Sequence, residues 1–417
     1  MILRQPTQVA VLLILSLGVT AMSLKAETPG PTFGADVAVL KQHTDAIVLR
    51  DGDAAVVVVP EYQGRVMTAT ARGDQGLSSG WINYDLVKQG VVSPEQAKGS
   101  LDEHMYAFGG EERFWMGPEG GQYSIFFEPK TPFDFASWHT PDPIDNEAWK
   151  AMAKTDRSVT LEHRFGLKNH SGTEFSVSVQ RKVSLLDSAQ ISELLSVTLP
   201  DSIDAVAYQS ENSVTNEGKA AWTKDSGLLS IWMLCMFQPS PTTTVFVPYN
   251  QGDEQTLGKV VSDDYFGKVS SDRLKVKDGV IYFKADGKER GKIGLSPERS
   301  TGIAGSYDPA AEKLTLLIYD QPAQHSGYVN SKWELQDQPY QGDAINSYND
   351  GPVDESGEQM GPFYELESSS PALALEPGDT ATHSQTVLHL YGAPDKLQAV
   401  IENKLKVDLT QVESVFH

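Results

Sequence analysis

Alternating apolar and polar residues recur along most of the chain, and their period of two indicates strands rather than helices. The segment 159–167 alternates, breaks at Asn169-His-Ser-Gly172, and returns as 175–183. In the returning run the apolar positions fall on one face and the polar ones on the other, as in an antiparallel sheet with one buried side. The runs 46–50 and 54–59 flank a turn and predict a hairpin.

The rest of the chain continues this pattern with few helical signals. Further strands are predicted at 228–237, 243–247, 280–284, 314–319 and 382–391. Helices are predicted after the cap Ser93 and Pro94, over 145–153, and over 395–405. Many short strands without an internal repeat or a dividing linker favour an all-β sandwich of antiparallel sheets. We assign residues 45–417 to one such domain with a C-terminal helix, and residues 27–44 to a leader segment.

The N-terminus has the pattern of a secretory signal peptide. Arg4 precedes an apolar stretch over 9–21 that is too short to span a bilayer, and Ala26 is a small residue at a plausible cleavage site. Residues 1–26 are therefore predicted to be removed, with cleavage after Ser23 as the alternative. We expect a periplasmic or secreted protein without further membrane insertion.

Charge and cysteine content exclude several partners. The formal net charge of −22 disfavours nucleic acid and anionic membrane surfaces, because both repel an acidic protein. Cys235 is the only cysteine, so an intrachain disulfide cannot form. It lies in a long apolar run, where a buried and inert thiol is the expected state.

The first candidate site is the glycine-rich segment 108–122. Its paired glycines allow positive φ and a close approach of the backbone to a ligand. Trp115 offers a flat apolar face on which a pyranose ring could lie. The alternative is a tight loop in which Arg113 pairs with the adjacent glutamates. The substrate-binding candidates here are Glu111, Glu112, Arg113, Trp115 and Gln122.

The second candidate site combines the polar segment 342–352 with a short strand in 361–371. Alternation along that strand predicts that Tyr364 and Leu366 face the core while Glu365 and Glu367 share the other face, about 7 Å apart. This spacing lies near the boundary between retaining and inverting glycosidases and leaves the outcome open. The alternative is a solvated strand face. The substrate-binding candidates in the polar segment are Asn346, Tyr348, Asn349 and Asp350.

Two histidines are candidates for a general acid. His104 and His139 lie in predicted loops rich in aromatic and acidic residues. His163 alternates in phase with its apolar neighbours and is interpreted as a core residue.

No metal or cofactor is predicted. Hard oxygen ligands that would favour calcium occur at Asp343, Asn346, Asn349, Asp350 and Asp354, but their spacing matches no calcium loop. The sequence also lacks a Gly-x-Ser-x-Gly elbow, a phosphate loop, a dinucleotide fingerprint and Cys/His zinc spacing.

Several segments resemble known families. The segment 56–68, in which a strand leads through Gly64 and Arg65 into the next strand, resembles the opening of galactose mutarotase-like proteins. The motifs at 108–115, 211–216, 346–352 and 364–371 together are similar to a family of exported bacterial proteins of unknown function, over about residues 45–392. The resemblance implies a galactose mutarotase-like β-supersandwich and, by analogy, carbohydrate recognition. Arg65 is included among the substrate-binding candidates.

Aldose epimerases of that superfamily pair a histidine acid with a glutamate base on a late strand that precedes a proline. Glu365 or Glu367, followed by Pro371, is similar to that glutamate. The epimerase histidine motif is absent, because Asn169-His170 matches only two letters of it and a turn follows. The sequence therefore does not favour simple aldose mutarotation.

These observations give one leading hypothesis and two alternatives. In the leading hypothesis, an exported protein acts on a neutral or deoxy sugar by epimerisation or glycosidic cleavage. Glu365 and Glu367 serve as base or nucleophile, and His104 or His139 serves as acid. The alternatives are a non-catalytic glycan-binding protein and a structural protein of the cell envelope. The oligomeric state is not predicted.

Overall fold

The computed structural model describes residues 31–320, 327–352, 357, 359–402 and 404–416. The predicted signal peptide and the candidate ligand Asp354 lie outside the described residues. The strands are β1 Ile47–Asp51, β2 Ala54–Val59, β3 Arg65–Thr70, β4 Arg113–Gly117, β5 Lys150–Lys154, β6 Ser158–Lys168, β7 Glu174–Leu185, β8 Asp204–Asn216, β9 Ser230–Phe237, β10 Thr244–Pro248, β11 Leu274–Lys277, β12 Val280–Lys284, β13 Gly291–Leu295, β14 Ile303–Asp308, β15 Lys313–Tyr319, β16 Ile345–Asn349, β17 Tyr364–Ser369 and β18 Thr380–Tyr391.

The α-helices are short by comparison. They are α1 Phe33–His43, α2 Tyr84–Gln89, α3 Pro94–Ala97, α4 Ser188–Leu195, α5 Glu254–Leu257, α6 Pro394–Ile401 and α7 Leu409–Ser414. Among the described helices, none combines the length and the apolar character that crossing a membrane requires.

Within the described residues, the strands form three antiparallel sheets. The back sheet has ten strands in the order β11-β12-β10-β14-β15-β18-β8-β7-β6-β5, and the front sheet has five in the order β13-β16-β17-β9-β4. A side sheet holds β1, β2 and β3. The predicted hairpin pairs Ile47 with Val58, and the predicted partners 159–167 and 175–183 pair as β6 and β7. The prediction of an all-β sandwich of antiparallel sheets with a few short helices is confirmed.

One face of the front sheet packs against the back sheet. Tyr364 of β17 bonds Ser306 of β14 at 2.7 Å, and Ser368 of β17 lies 2.8 Å from His383 of β18. The opposite face of the back sheet is apolar, with Leu388 and Leu390 packed among residues of α4, α6 and α7. The back sheet is therefore buried on both faces at its centre, and the front sheet has one face free to line a site.

Two parts of the chain differ from the sequence prediction. The helix predicted over 145–153 is wrong. Lys150–Lys154 is a strand that pairs with β6, because an open edge of the back sheet supplies its hydrogen bonds. Within the predicted leader, Thr32 caps α1, and Phe33 and Leu40 are buried against residues of the side sheet.

Candidate active site on the front sheet

A cavity of about 1040 Å³ lies over the free face of the front sheet. Glu365, Glu367 and Ser369 of β17 line it, whereas the alternate residues Tyr364 and Leu366 belong to the core. The division between the two faces follows from the strand's period of two. Because β17 is the third of the five strands, both glutamates lie at the middle of the cavity floor.

Glu367 is held by a cation and an indole. Its Oε2 accepts hydrogen bonds from Lys292 Nζ at 2.8 Å and from Trp232 Nε1 at 3.1 Å. Its Oε1 is buried and has no hydrogen-bond partner among the described residues. A carboxylate oxygen without a protein partner keeps its capacity to accept a hydrogen bond.

Glu365 is paired with an arginine but remains easy to protonate. Arg113 Nη2 lies 3.0 Å from Glu365 Oε1, and both side chains are buried. Burial raises the pKa of Glu365 to about 7; the Arg113 charge opposes this rise and the nearby Glu367 adds to it. Glu365 can therefore hold or release a proton near neutral pH.

Further acids surround this pair. Asp343 accepts a hydrogen bond from the Tyr265 hydroxyl, and burial raises its pKa to about 6. Burial also raises the pKa of Glu119. Burial alone would lower the pKa of Lys292, but the charges of Glu367 and Glu119 outweigh it and raise that pKa. Lys292 is therefore a firmly charged cation at the floor of the cavity.

Aromatic rings form the walls. Trp115 of β4 and Trp232 of β9 meet edge to face at 5.5 Å, and Arg113 lies over the Trp115 ring at 4.2 Å. In the loops above, Trp138 stacks on Trp333 at 5.9 Å. The aromatic residues that line the cavity are Trp115, Phe135, Trp138, Trp232, Tyr265, Phe266, Trp333 and Tyr348. Aromatic walls with a few convergent polar groups are typical of small-molecule sites.

The structure brings together most of the residues proposed from sequence. The cavity is lined by His104, Arg113, Trp115, Asn346, Tyr348, Asp350, Glu365 and Glu367. His104 stands in the loop wall with its Nδ1 2.7 Å from the Trp138 carbonyl oxygen. The two candidate segments, far apart in sequence, meet because β4 and β17 both pair with β9.

Arg65, Glu111 and Glu112 do not line the cavity. Glu112 forms a buried ion pair with Arg181 at 2.5 Å, and Glu111 lies 2.7 Å from His389. Both partners belong to the back sheet, so these glutamates form buried polar contacts with that sheet and do not face the cavity. Arg65 is fully buried and donates to the Gly109 carbonyl oxygen at 2.7 Å. Because Glu111 and Glu112 have these other partners, Arg113 does not pair with them; it pairs with Glu365.

Asn349, Gln122 and His139 also lie outside the cavity lining. Asn349 accepts a hydrogen bond from Gly287 N at 2.9 Å and donates to the Glu289 carbonyl at 2.8 Å, which orders a turn. Gln122 donates to the Gln336 carbonyl at 2.9 Å and ties two loops together. The exposed His139 ring lies 4.7 Å from the His104 ring.

The oxygen-rich residues considered for calcium have other partners. Asp343 bonds Tyr265, and Asn346 also contacts that hydroxyl at 3.2 Å. Asp350 accepts from Tyr348 at 2.6 Å and from Gly361 N at 2.9 Å. In the part of the chain that the structure describes, no group of three or more His, Cys, Asp or Glu side chains is arranged to hold a metal.

Sequence reasoning missed part of the cavity lining. Trp232 lies in the apolar run of β9, which was predicted only as a strand, and Lys292 lies in the short apolar strand β13. The available signal was a tryptophan, or a single lysine, within an otherwise apolar strand, since such a residue can lie on the face that lines a site. The wall residues Glu119, Trp138, Tyr265, Phe266 and Trp333 come from loops whose positions depend on the whole fold.

Comparison with solved structures finds distant likenesses. A protein from Escherichia coli K12 provisionally named an aldose 1-epimerase is 15% identical, with a TM-score of 0.49 over 84% of this chain and 99% of that chain. The Slr1438 protein from Synechocystis sp. PCC 6803 is 13% identical, with a TM-score of 0.47 over 84% and 96%. A galactose mutarotase-like protein from Lactobacillus casei ATCC 334 is 10% identical, with a TM-score of 0.44 over 82% and 99%.

No curated protein matches the sequence. The family described as a family of unknown function (DUF6786) matches residues 31–416. The resemblance to a family of unknown function is thus confirmed, and its match includes the segment of α1 that was predicted to be a leader. The chain belongs to the family of unknown function DUF6786.

Proposed function

We propose that the cavity binds a carbohydrate and that Glu365 and Glu367 act on it by acid–base chemistry. The observation that carries this proposal is the placement of two buried glutamates side by side on the floor of an aromatic-walled cavity. Sugars present apolar ring faces and hydroxyl groups that both donate and accept. A site for them needs rings for the faces and convergent polar atoms for the hydroxyls.

Buried polar atoms without a protein partner support this ligand class. Among the described residues that line the cavity, six buried polar atoms have no hydrogen-bond partner: Arg113 Nε, Trp115 Nε1, Trp138 Nε1, Ser230 Oγ, Arg290 Nε and Glu367 Oε1. Leaving a buried polar atom unpaired costs about 1–3 kcal/mol. Hydroxyl groups both donate and accept, so a sugar is a ligand class whose atoms match these donors and acceptors where binding uncovers them.

The two glutamates suit complementary roles. Glu365, with its pKa near 7, donates a proton to the sugar oxygen whose bond to C1 breaks. Glu367, fixed by Lys292 and Trp232, takes a proton from the incoming group. In glycosidic cleavage that group is water, which forms the new bond to C1. In ring opening the proton comes from the anomeric hydroxyl and the ring oxygen is protonated, so both reactions use the same pair.

The test is a screen of purified protein against mono- and oligosaccharides that records thermal shift and product formation together. Glu365→Gln and Glu367→Gln each remove an ionisable group at nearly constant shape. We expect each to lower turnover at least 100-fold while ligand affinity stays within about tenfold. Glu211→Gln, an exposed glutamate of β8 paired with Lys182, is the matched control. Full turnover in both site variants would contradict the catalytic roles.

Non-catalytic glycan binding is the second candidate. It is favoured by the ion pairs themselves, because Arg113 and Lys292 already occupy one oxygen of each carboxylate. In that case ligands shift the melting temperature, no sugar is altered, and the Gln variants lose affinity. A purely structural role in the envelope predicts that no glycan binds at all.

We also propose that the protein is exported. The support is the charged start, short apolar stretch and small residue over 1–26. N-terminal sequencing of protein from the periplasm or medium should begin after Ala26 or Ser23. An intact Met1 on cytoplasmic protein would contradict export.

A further inference from the structure

Exposed aromatic residues stand at two separate places on the rim of the cavity. Phe135 is 52% exposed and Phe266 is 43% exposed, and both line the cavity. Aromatic side chains that line a cavity offer flat apolar faces to a ligand bound in it. Neither ring belongs to the main hydrophobic core, and each keeps an exposed part beside its packing partners.

The two rings belong to opposite ends of the front sheet. Phe135 packs beside Trp138 with ring centroids 6.0 Å apart, and Trp138 stacks on Phe126. Phe126 in turn lies 5.2 Å from Trp115 of β4. The strands β4 and β13 form the two edges of this sheet. Phe135 therefore rises beside the edge that β4 forms.

Phe266 rises beside the other edge. Its ring lies 5.8 Å from that of Tyr348 on β16, and Arg290, next to the first residue of β13, lies 3.9 Å above it. The neighbouring loop bridges Ser262 to Gly294 of β13. Five strands spaced about 4.8 Å apart span about 19 Å from β4 to β13. The cavity thus runs across the strands, with Glu365 and Glu367 at its centre.

We propose that the ligand is an oligosaccharide that lies across the front sheet. Its inner units meet Glu365 and Glu367, and units on either side stack on Phe135 and Phe266. This inference rests on the proposed carbohydrate function and adds chain length and direction to it. A single sugar ring covers only the central floor, and a cavity of about 1040 Å³ leaves room for several units.

The test measures affinity against chain length. The probes are ladders of one to four units of β-1,4-linked glucose, xylose and N-acetylglucosamine, and of α-1,4-linked glucose, titrated calorimetrically into Glu365→Gln protein to prevent turnover. Affinity should rise with each added unit until both rims are reached. Because only the outer units stack on the rim rings, Phe135→Ala and Phe266→Ala should each weaken the tetrasaccharide about 3- to 10-fold and leave the monosaccharide unchanged.

Met152→Ala is the matched control, because Met152 is 49% exposed on β5 at the far edge of the back sheet. It should leave every affinity unchanged. Equal affinity for one and four units, or rim variants that weaken both equally, overturns the extended ligand while carbohydrate binding stands. Absence of binding by every ladder and by the sugar screen overturns the proposed function itself.

Discussion

Arg113 bonds Glu365 although its strand register aligns it with Glu367. Arg113 of β4 and Glu367 of β17 both stand opposite Leu234 of β9, yet the Arg113 guanidinium reaches Glu365 at 3.0 Å. The arrangement on the other side mirrors this one. Lys292 and Glu365 both stand opposite Tyr348, yet Lys292 bonds Glu367 at 2.8 Å.

This crossed pairing has a packing cause. Residues in register point to the same face, so Leu234 and Tyr348 lie between the aligned partners. Each cation therefore pairs with the other glutamate, two residues along β17 from the one with which it is aligned. Each glutamate has one cation of its own, and Glu365 feels both the Arg113 charge and the neighbouring Glu367.

The first prediction concerns the free energy of unfolding when the cation of the buried pair is removed. Lys292→Met leaves the Glu367 charge without its ion-pair partner, which should cost about 3–5 kcal/mol. Lys182→Met removes a cation from the exposed pair with Glu211, whose side chains are 49% and 44% exposed, and should cost less than about 1 kcal/mol. Urea denaturation at pH 7.5 measures both. Equal losses would show that burial does not govern the Lys292 pair.

The second prediction concerns the pH dependence of stability. The folded-state pKa of Glu365 is raised from 4.5 to about 7, so the folded protein binds this proton more tightly than the unfolded chain. Its contribution to stability is greatest below pH 4.5 and falls as pH rises towards 7. The change is of order 3 kcal/mol.

Glu365→Gln removes this titration but leaves other buried acids such as Asp343 in place. The difference in unfolding free energy between the original protein and the variant should therefore fall between pH 4.5 and 7 and be flat outside that interval. Chemical denaturation at a series of pH values measures it. A difference independent of pH would contradict the raised pKa.

The third prediction separates folding from binding by comparing Glu112, which was proposed from sequence but lies outside the cavity, with Trp333 of the cavity wall. Glu112→Gln leaves the buried Arg181 without its carboxylate and should destabilise the protein by about 3–5 kcal/mol. The affinity of the folded protein for its sugar should not change, because Glu112 lies between the sheets.

Trp333→Ala provides the opposite case. Trp333 is half-buried in the cavity wall, so its loss should weaken sugar binding about tenfold with a smaller effect on melting temperature. Thermal unfolding and titration calorimetry on both variants make the comparison. If Glu112→Gln protein binds the sugar more weakly at a temperature where it is fully folded, Glu112 contributes to the binding site and the prediction is wrong.

The accuracy of the sequence prediction differs between local and long-range features. Alternation is local, so the strands β6, β7 and β17 and the shared face of Glu365 and Glu367 could be predicted. Strand pairing is not local. Lys292 reaches Glu367 only because β13 pairs with β16 and β16 with β17, and no pattern within β13 specifies that order.

Two further misses have the same origin. Glu111 and Glu112 stand beside glycines and Arg113, as site residues often do, but they point between the sheets and meet His389 and Arg181. The segment 145–153 has residues that a helix accepts, and an available sheet edge decided its structure instead. Charge and propensity at a position do not reveal which surface it will face.

The fourth prediction concerns the charge of the sugar. Among the described residues that line the cavity, seven are acidic and four are lysine or arginine. Arg113 and Lys292 are already paired with Glu365 and Glu367, and Lys332 with Asp264 at 3.3 Å. Little positive charge is left for an anionic ligand. Neutral and amino sugars should therefore bind at least about tenfold more tightly than the matching uronic acid, since charges of like sign repel across a partly desolvated site.

Calorimetry with glucose, glucosamine and glucuronic acid at the end of the same oligosaccharide tests this at pH 8. At pH 5 the discrimination should shrink, because Glu365 and Asp343, with pKa values of about 7 and 6, then carry protons while the uronate stays ionised. Salt at 0.5 M should change the ratio little, because buried charges are weakly screened. If the uronic acid binds most tightly, the prediction is wrong. In that case Arg290 or Lys332 turns towards the ligand, and these cationic groups, rather than the acidic ones, determine which ligand charge is preferred.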